Sequence, residues 1–197
     1  MSVANRIRIH TVETLSDNWY ILKKTTFDFL RSDGTWQRQS RETYDRGNGV
    51  AVLLFDPAHR TVMLTQQFRY PAFVNGHDDL LIEAPAGLLD ELSPEESIRR
   101  EILEETGYVV HDVKKIFEAF MSPGSVTEKL HFFIAEYDAQ TQRDQGGGLV
   151  SEGEDIATLE LDIDDAMRKI AEGEIKDGKT IMLLQYAKLH IFPQTAG

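Results

Sequence analysis

Apolar and β-branched residues cluster in short runs along most of this chain, with turn residues between them. Residues 20–30 alternate loosely as a strand, Ser32-Asp33-Gly34 reads as a turn, and residues 36–44 return as a polar strand. This predicts an N-terminal antiparallel hairpin or sheet, too thin to stand without a partner surface. Residues 50–55 and 61–68 are apolar runs joined across Asp56-Pro57-Ala58-His59-Arg60, an ordinary hairpin connection. The preceding Arg46-Gly47-Asn48-Gly49 lacks the third glycine and following helix of a dinucleotide loop, and reads as a turn. Further strands are predicted at 80–85, 113–120, 129–137 and 157–161. Asp162 is placed to cap a short helix ending near Gly173, and Asp177-Gly178-Lys179-Thr180 opens a terminal helix. The pattern is α/β, with an N-terminal β subdomain over residues 1–45 and a larger domain over 46–197.

Two stretches depart from ordinary patterning. The first contains a helix with both ends signalled: Ser93 as N-cap, Pro94 at the first helical position, Glu96 completing a capping box, and Gly107 at the C-terminal stop. Ile98, Ile102 and Leu103 form its apolar stripe, so Glu101, Glu104 and Glu105 share another side. Such a carboxylate cluster calls for a compensating cation, from Arg99 and Arg100 or from a divalent metal ion, which prefers oxygen ligands. A solvated helix carrying Glu95/Arg99, Glu96/Arg100 and Arg100/Glu104 ion pairs accounts for the spacing equally well. The second stretch, 138–155, has no periodicity, contains Gly146-Gly147-Gly148 and ends in Ser151-Glu152-Gly153-Glu154-Asp155. It reads as a mobile acidic loop, either solvated or able to close over a site.

Composition narrows the function. The chain has 197 residues and 41% hydrophobic content, enough for a good core. A net charge of −12 and no basic stripe argue against a nucleic-acid partner, although placed cations can still receive a small anion. Neither a membrane-spanning run nor a signal-peptide core is evident, and there is no cysteine. No membrane partner is expected, and a cytoplasmic location is the default expectation. The six histidines show no metal-type spacing. Arg69, between Phe68 and Tyr70, suits either a surface arginine lying over aromatics or a bidentate grip on phosphate.

The order Gly87, then Arg100-Glu101-Ile102-x-Glu104-Glu105-x-Gly107-Tyr108, resembles the signature of the Nudix hydrolase superfamily. The interval from Gly87 to Arg100 is one residue shorter than the signature, and Ser93, or Glu91 on another alignment, stands where its first glutamate belongs. Pro123-Gly124 is typical of the branch that hydrolyses ADP-ribose and related nucleoside diphosphate sugars. Leu15-Ser16-Asp17-Asn18, Tyr44-Asp45-Arg46-Gly47-Asn48-Gly49, Gln67-Phe68-Arg69, Met121-Ser122-Pro123-Gly124 and Asp177-Gly178-Lys179-Thr180 extend the resemblance over nearly the whole chain.

The resemblance implies a Nudix α/β/α sandwich around a mixed sheet, with the N-terminal sheet used in a homodimer. It implies Mg²⁺, or Mn²⁺, held by the Ala86 carbonyl, Glu101, Glu105 and Glu152. Glu152 would also be the base, with Glu154 behind it and Glu83 a nearby carboxylate. Trp19, Arg41 and Glu42 from one subunit, and Arg69, Gly87, Glu128 and Lys179 from the other, would surround the substrate. The implied reaction cleaves the pyrophosphate bond of GDP-mannose to GMP and mannose 1-phosphate. Cleavage of ADP-ribose to AMP and ribose 5-phosphate is the alternative, and a non-catalytic nucleotide-sugar sensor the remote one. Ser40 stands where a basic residue beside Arg41-Glu42 would be expected.

Overall fold

The computed structural model describes residues 2–193, which divide into two units, one comprising the described residues up to 48 with 120–129, the other 49–119 with the described residues from 130 on. The first unit holds a three-stranded antiparallel sheet of β1 (Ile7–Asp17), β2 (Ile21–Leu30) and β3 (Trp36–Asp45), with β2 in the middle. The β2–β3 hairpin follows the predicted pattern; β1 does not announce itself. Its pairing with β2 shifts register between Ile9 and Thr11 and again between Thr14 and Ser16. Those irregularities break the two-residue period by which a strand is recognised. A cross-strand group of His10, Asp28 and Arg38, and Arg8 over the Trp36 ring at 3.8 Å, tie the three strands together. Residues 120–129 belong to this unit because Tyr44 exchanges backbone hydrogen bonds with Ser125 (2.8 Å) and Thr127 (3.1 Å).

The second unit is built on a mixed sheet. Its elements in chain order are β4 (Gly49–Asp56), β5 (Thr61–Gln67), the short α1 (Tyr70–Val74), β6 (Leu81–Glu83), β7 (Ala86–Leu88), α2 (Pro94–Thr106), β8 (Lys114–Phe120), β9 (Lys129–Glu136), β10 (Ala157–Asp162), α3 (Ile163–Glu172) and α4 (Gly178–His190). The main path runs β10-β5-β4-β9-β8, with β6 paired to β5 and β7 to β4. The β4–β9 pair is parallel, whereas β5 pairs antiparallel with β4, β6 and β10. Strand β4 is buried from Gly49 to Leu54. Val50, Val52 and Leu54 pack with Ile98 and Ile102 of α2, while the intervening Ala51 and Leu53, also fully buried, project to the opposite face. Helix α4 packs on the same strand and buries Leu183, Leu184 and Ala187. Burial on both faces explains why 50–55 reads as a continuous apolar run. Among the described residues no helix is long and apolar enough to cross a membrane.

Candidate active site

Helix α2 carries the site, and its ends are fixed as the sequence predicts. Ser93 Oγ accepts from the Glu96 amide at 3.3 Å, Glu96 Oε2 accepts from the Ser93 amide at 3.1 Å, and Gly107 closes the helix at φ 74°. Ser93 is thereby spent on capping, and Glu91 is exposed. Asp90 pulls Arg100 to one side at 2.7 Å, and Arg100 lies 3.5 Å from Glu101 and 4.0 Å from Glu104. Arg99 turns away and donates to the carbonyls of His111 and Glu95. Compensation of the acidic face therefore falls to Arg100 and is incomplete.

Glu101 lies against Gly87: a Cβ built at residue 87 would overlap its carboxyl group. Strand β7 holds Ala86 and Gly87 opposite Ala51 and Val50, which fixes this close approach. Burial and the charge of Glu104 push Glu101 up to about 7, against the pull of Arg100. Glu105, one turn on, is 1% exposed, and its Oε2 is buried without a hydrogen-bond partner. Burial, then the charges of Glu101 and Glu154, push Glu105 well above the ordinary carboxylate range. An ionised carboxylate in that position costs several kcal/mol unless a cation meets it.

The glycine-rich segment is docked on this helix instead of standing free. The Gly147 and Gly148 amides donate to the carbonyls of Glu105 (3.0 Å) and Glu104 (2.9 Å), and the Arg143 amide donates to Gly107 (2.8 Å). Orphan carbonyls at the helix end are thus satisfied by the loop. Gly146, Gly147 and Gly148 all have positive φ, at 65°, 113° and 76°. A Cβ on Gly146 would strike the Glu105 carbonyl, and one on Gly148 the Glu154 side chain. Glu154 is half-buried, its Oε2 accepts from the Leu149 amide at 2.8 Å, and its charge is felt at both Glu101 and Glu105. Glu152, by contrast, ends an exposed 3₁₀ turn at Val150–Glu152. The segment thus brings the Glu154 charge to the helix carboxylates. Spacing alone offered no means of choosing between Glu152 and Glu154.

Beside the carboxylates stand two cations. Glu83, at the end of β6, receives Arg69 Nε at 2.6 Å on Oε2 and Lys179 Nζ on Oε1. Lys179, in the first turn of α4, is mostly buried. Trp19, Arg41 and Glu42 lie exposed in the first unit, and Glu128, also of that unit, faces Arg46 at 3.4 Å.

Among the described residues no three histidine, aspartate or glutamate side chains stand close enough to hold a metal ion by themselves. The partnerless Glu105 oxygen and the mutual repulsion of Glu101, Glu105 and Glu154 nevertheless fit a divalent cation.

A helix presenting buried carboxylates to a glycine-bearing strand, flanked by two cations, is accompanied by a matching family model. The NUDIX domain model covers residues 45–184, and the chain belongs to the Nudix family of hydrolases, which generally use divalent metal ions. Within that family the match is narrower: residues 6–44 match the model described as the GDP-mannose pyrophosphatase NudK N-terminal domain. The chain is 54% identical over 186 residues to the GDP-mannose pyrophosphatase of Pectobacterium atrosepticum, covering 94% of this chain and 95% of that one. It is 55% identical over 179 residues to the protein of that name from Yersinia enterocolitica, covering 90% and 93%. For the Yersinia pestis Pestoides F protein of the same name, identity is 53% over 184 residues, covering 93% and 92%.

Proposed function

We propose that this chain cleaves the pyrophosphate bond of a nucleoside diphosphate sugar in a Mg²⁺-dependent reaction, with GDP-mannose giving GMP and mannose 1-phosphate. The observation that carries this reading is the partnerless, buried Oε2 of Glu105 among Glu101 and Glu154, next to Arg69 and Lys179. Similarity to the GDP-mannose pyrophosphatases supports the choice of sugar nucleotide.

The Ala86 carbonyl, Glu101, Glu105 and Glu154 would hold the metal. Bound there, Mg²⁺ or Mn²⁺ supplies charge neutralisation for the diphosphate and makes water more acidic. Glu154 takes the loop role first expected of Glu152, because it is the loop carboxylate whose charge reaches Glu101 and Glu105. As base it accepts the proton of the water that attacks phosphorus, and the other phosphate departs with the bridging oxygen. Arg69 and Lys179 offset the charge on the phosphoryl oxygens. Gly87 keeps the strand close enough for Glu101 to lie flat against it.

The N-terminal sheet would pair two copies into a homodimer, with Trp19, Arg41 and Glu42 reaching the partner's substrate alongside Glu128. Exposed apolar side chains on β1 and after it, Ile9, Val12, Leu15 and Trp19, support a covered face there. Light scattering on the eluted protein tests this; a monomer at micromolar concentration removes it.

Product chromatography after incubation with GDP-mannose and Mg²⁺, with ADP-ribose in parallel, tests the reaction. GMP and mannose 1-phosphate in large excess over AMP are expected. AMP from ADP-ribose without GMP would keep the chemistry and replace the substrate. Inertness toward both would overturn the reading.

A further inference from the structure

We infer that Glu83 is a positioning residue, which fixes Arg69 and Lys179 as a side-by-side pair of cations for a diphosphate; this rests on the phosphate-binding role proposed above for those two residues. The Glu83 side chain is 4% exposed, and each of its oxygens is engaged by a different cation. The two cations come from distant parts of the chain, Arg69 from the segment after β5 and Lys179 from the first turn of α4.

The backbone around Glu83 is joined to both of those elements. Thr65 of β5 is the register partner of Glu83, and its hydroxyl donates to the Glu83 carbonyl at 3.2 Å. The Ala84 amide donates to Thr180 Oγ1 at 2.6 Å, which ties the next residue to the start of α4. Asp177, the α4 cap, adds a second carboxylate 3.0 Å from Lys179 Nζ. The junction of strand, arginine and helix is therefore built from backbone as well as charge.

The geometry of the Arg69 contact matters most. Glu83 takes the Nε hydrogen and so fixes the plane of the guanidinium, leaving the two terminal nitrogens for another anion. The Arg69 side chain is 40% exposed, so an anion from solution can reach them. A lysine at 69 would keep the charge but could not be oriented in this way. A diphosphate, whose charge spreads over two adjoining phosphoryl groups, suits two neighbouring cations. Without Glu83 the pair would face each other as like charges in a partly dry site.

Calorimetric titration of the chain with magnesium pyrophosphate tests the inference, alongside Glu83→Gln, Arg69→Ala and the double variant. Wild type should bind, Glu83→Gln should weaken binding about tenfold, and the double variant should lose clearly less than the sum of the two single losses, because Glu83 acts partly through Arg69 and partly through Lys179. Full additivity, or Glu83→Gln binding within about twofold of wild type, would overturn it. If Glu83→Gln does not fold, Arg69→Lys carries the test: a similar tenfold loss is expected, and wild-type affinity would overturn the inference. GDP-mannose turnover is followed separately. A wild type inert toward GDP-mannose that keeps this pyrophosphate pattern would remove the substrate reading and leave Glu83's role supported.

Discussion

Gly87 and Glu101 are in such close contact that the glycine has no room for a side chain on the face the carboxylate covers. The residue is not held at positive φ, so the requirement is space and not backbone conformation. Gly87→Ala should therefore leave the fold intact and push the Glu101 carboxylate away by a fraction of its own size. Displacement on that scale costs a positioned catalytic group roughly 100-fold. Steady-state kinetics with a thermal melt checks this: kcat/KM should fall by about that factor with Tm within a few degrees. Wild-type kinetics would mean that the Glu101 position is irrelevant to turnover.

Glu105→Gln should separate stability from activity. The substitution removes a buried, repelled charge and keeps the side-chain shape, so the metal-free protein should gain roughly 1–3 kcal/mol while turnover with Mg²⁺ is lost. Urea denaturation in EDTA reads the first effect and product assay the second. A destabilised variant would show that the carboxylate has a stabilising partner in solution.

Stability should also depend on pH in a direction opposite to that of a salt-bridged carboxylate. Glu101 rises from 4.5 to about 7 and Glu105 rises well above 4.5, so the folded chain binds protons more tightly than the unfolded one. That contribution is complete below about 4.5 and is lost as pH climbs through 7 for Glu101 and further for Glu105. For Glu101 the loss is on the order of 3 kcal/mol. Urea midpoints in EDTA between pH 5 and 8 should fall with rising pH, and Mg²⁺ should flatten the slope. A profile that rises with pH in EDTA would contradict the buried-carboxylate arrangement.

The two loop glutamates should differ sharply. Glu154→Gln is expected to lower kcat by 10²–10⁴, whereas Glu152→Gln should stay within a few-fold of wild type. Gly148→Ala combines strain at φ 76° with a clash against Glu154, and should cost about 1–2 kcal/mol of stability together with much of the activity. Parallel kinetics on the three variants decides the assignment. Equal losses at 152 and 154 would spread the role over both.

What the sequence made legible follows from how local each signal is. The α2 caps, the α3 and α4 caps at Asp162 and Asp177, and most strands of the mixed sheet rest on neighbouring residues and could be read directly. Strand β1 could not, because its register shifts scramble the alternation, and α1 is only one turn long. Arg100 as partner of Glu104 was foreseeable from helical spacing, but its contacts with Asp90 and with the adjacent Glu101 were not. The partnership of Glu83 with Arg69 and Lys179 joins three separate segments and leaves no periodic trace. The docking of the triglycine segment onto α2 was hidden for the same reason, since glycine content signals freedom of the backbone without saying what the backbone meets.

Leu149 and Glu154 face one another across a narrow neck: the Leu149 amide reaches the Glu154 carboxylate, and the Glu154 amide reaches the Leu149 carbonyl at 3.3 Å. Residues 150–153 between them are a side excursion hung from a closed gate. Their number and identity can change without moving Glu154, since the neck is anchored on one side by Gly147 and Gly148 and on the other by the Ile156 amide, 3.1 Å from the Gly147 carbonyl. Insertions and deletions among relatives should accumulate in those four positions, while the gateposts keep their spacing to the helix. A shortened loop that retains both posts would then work as well as the full one.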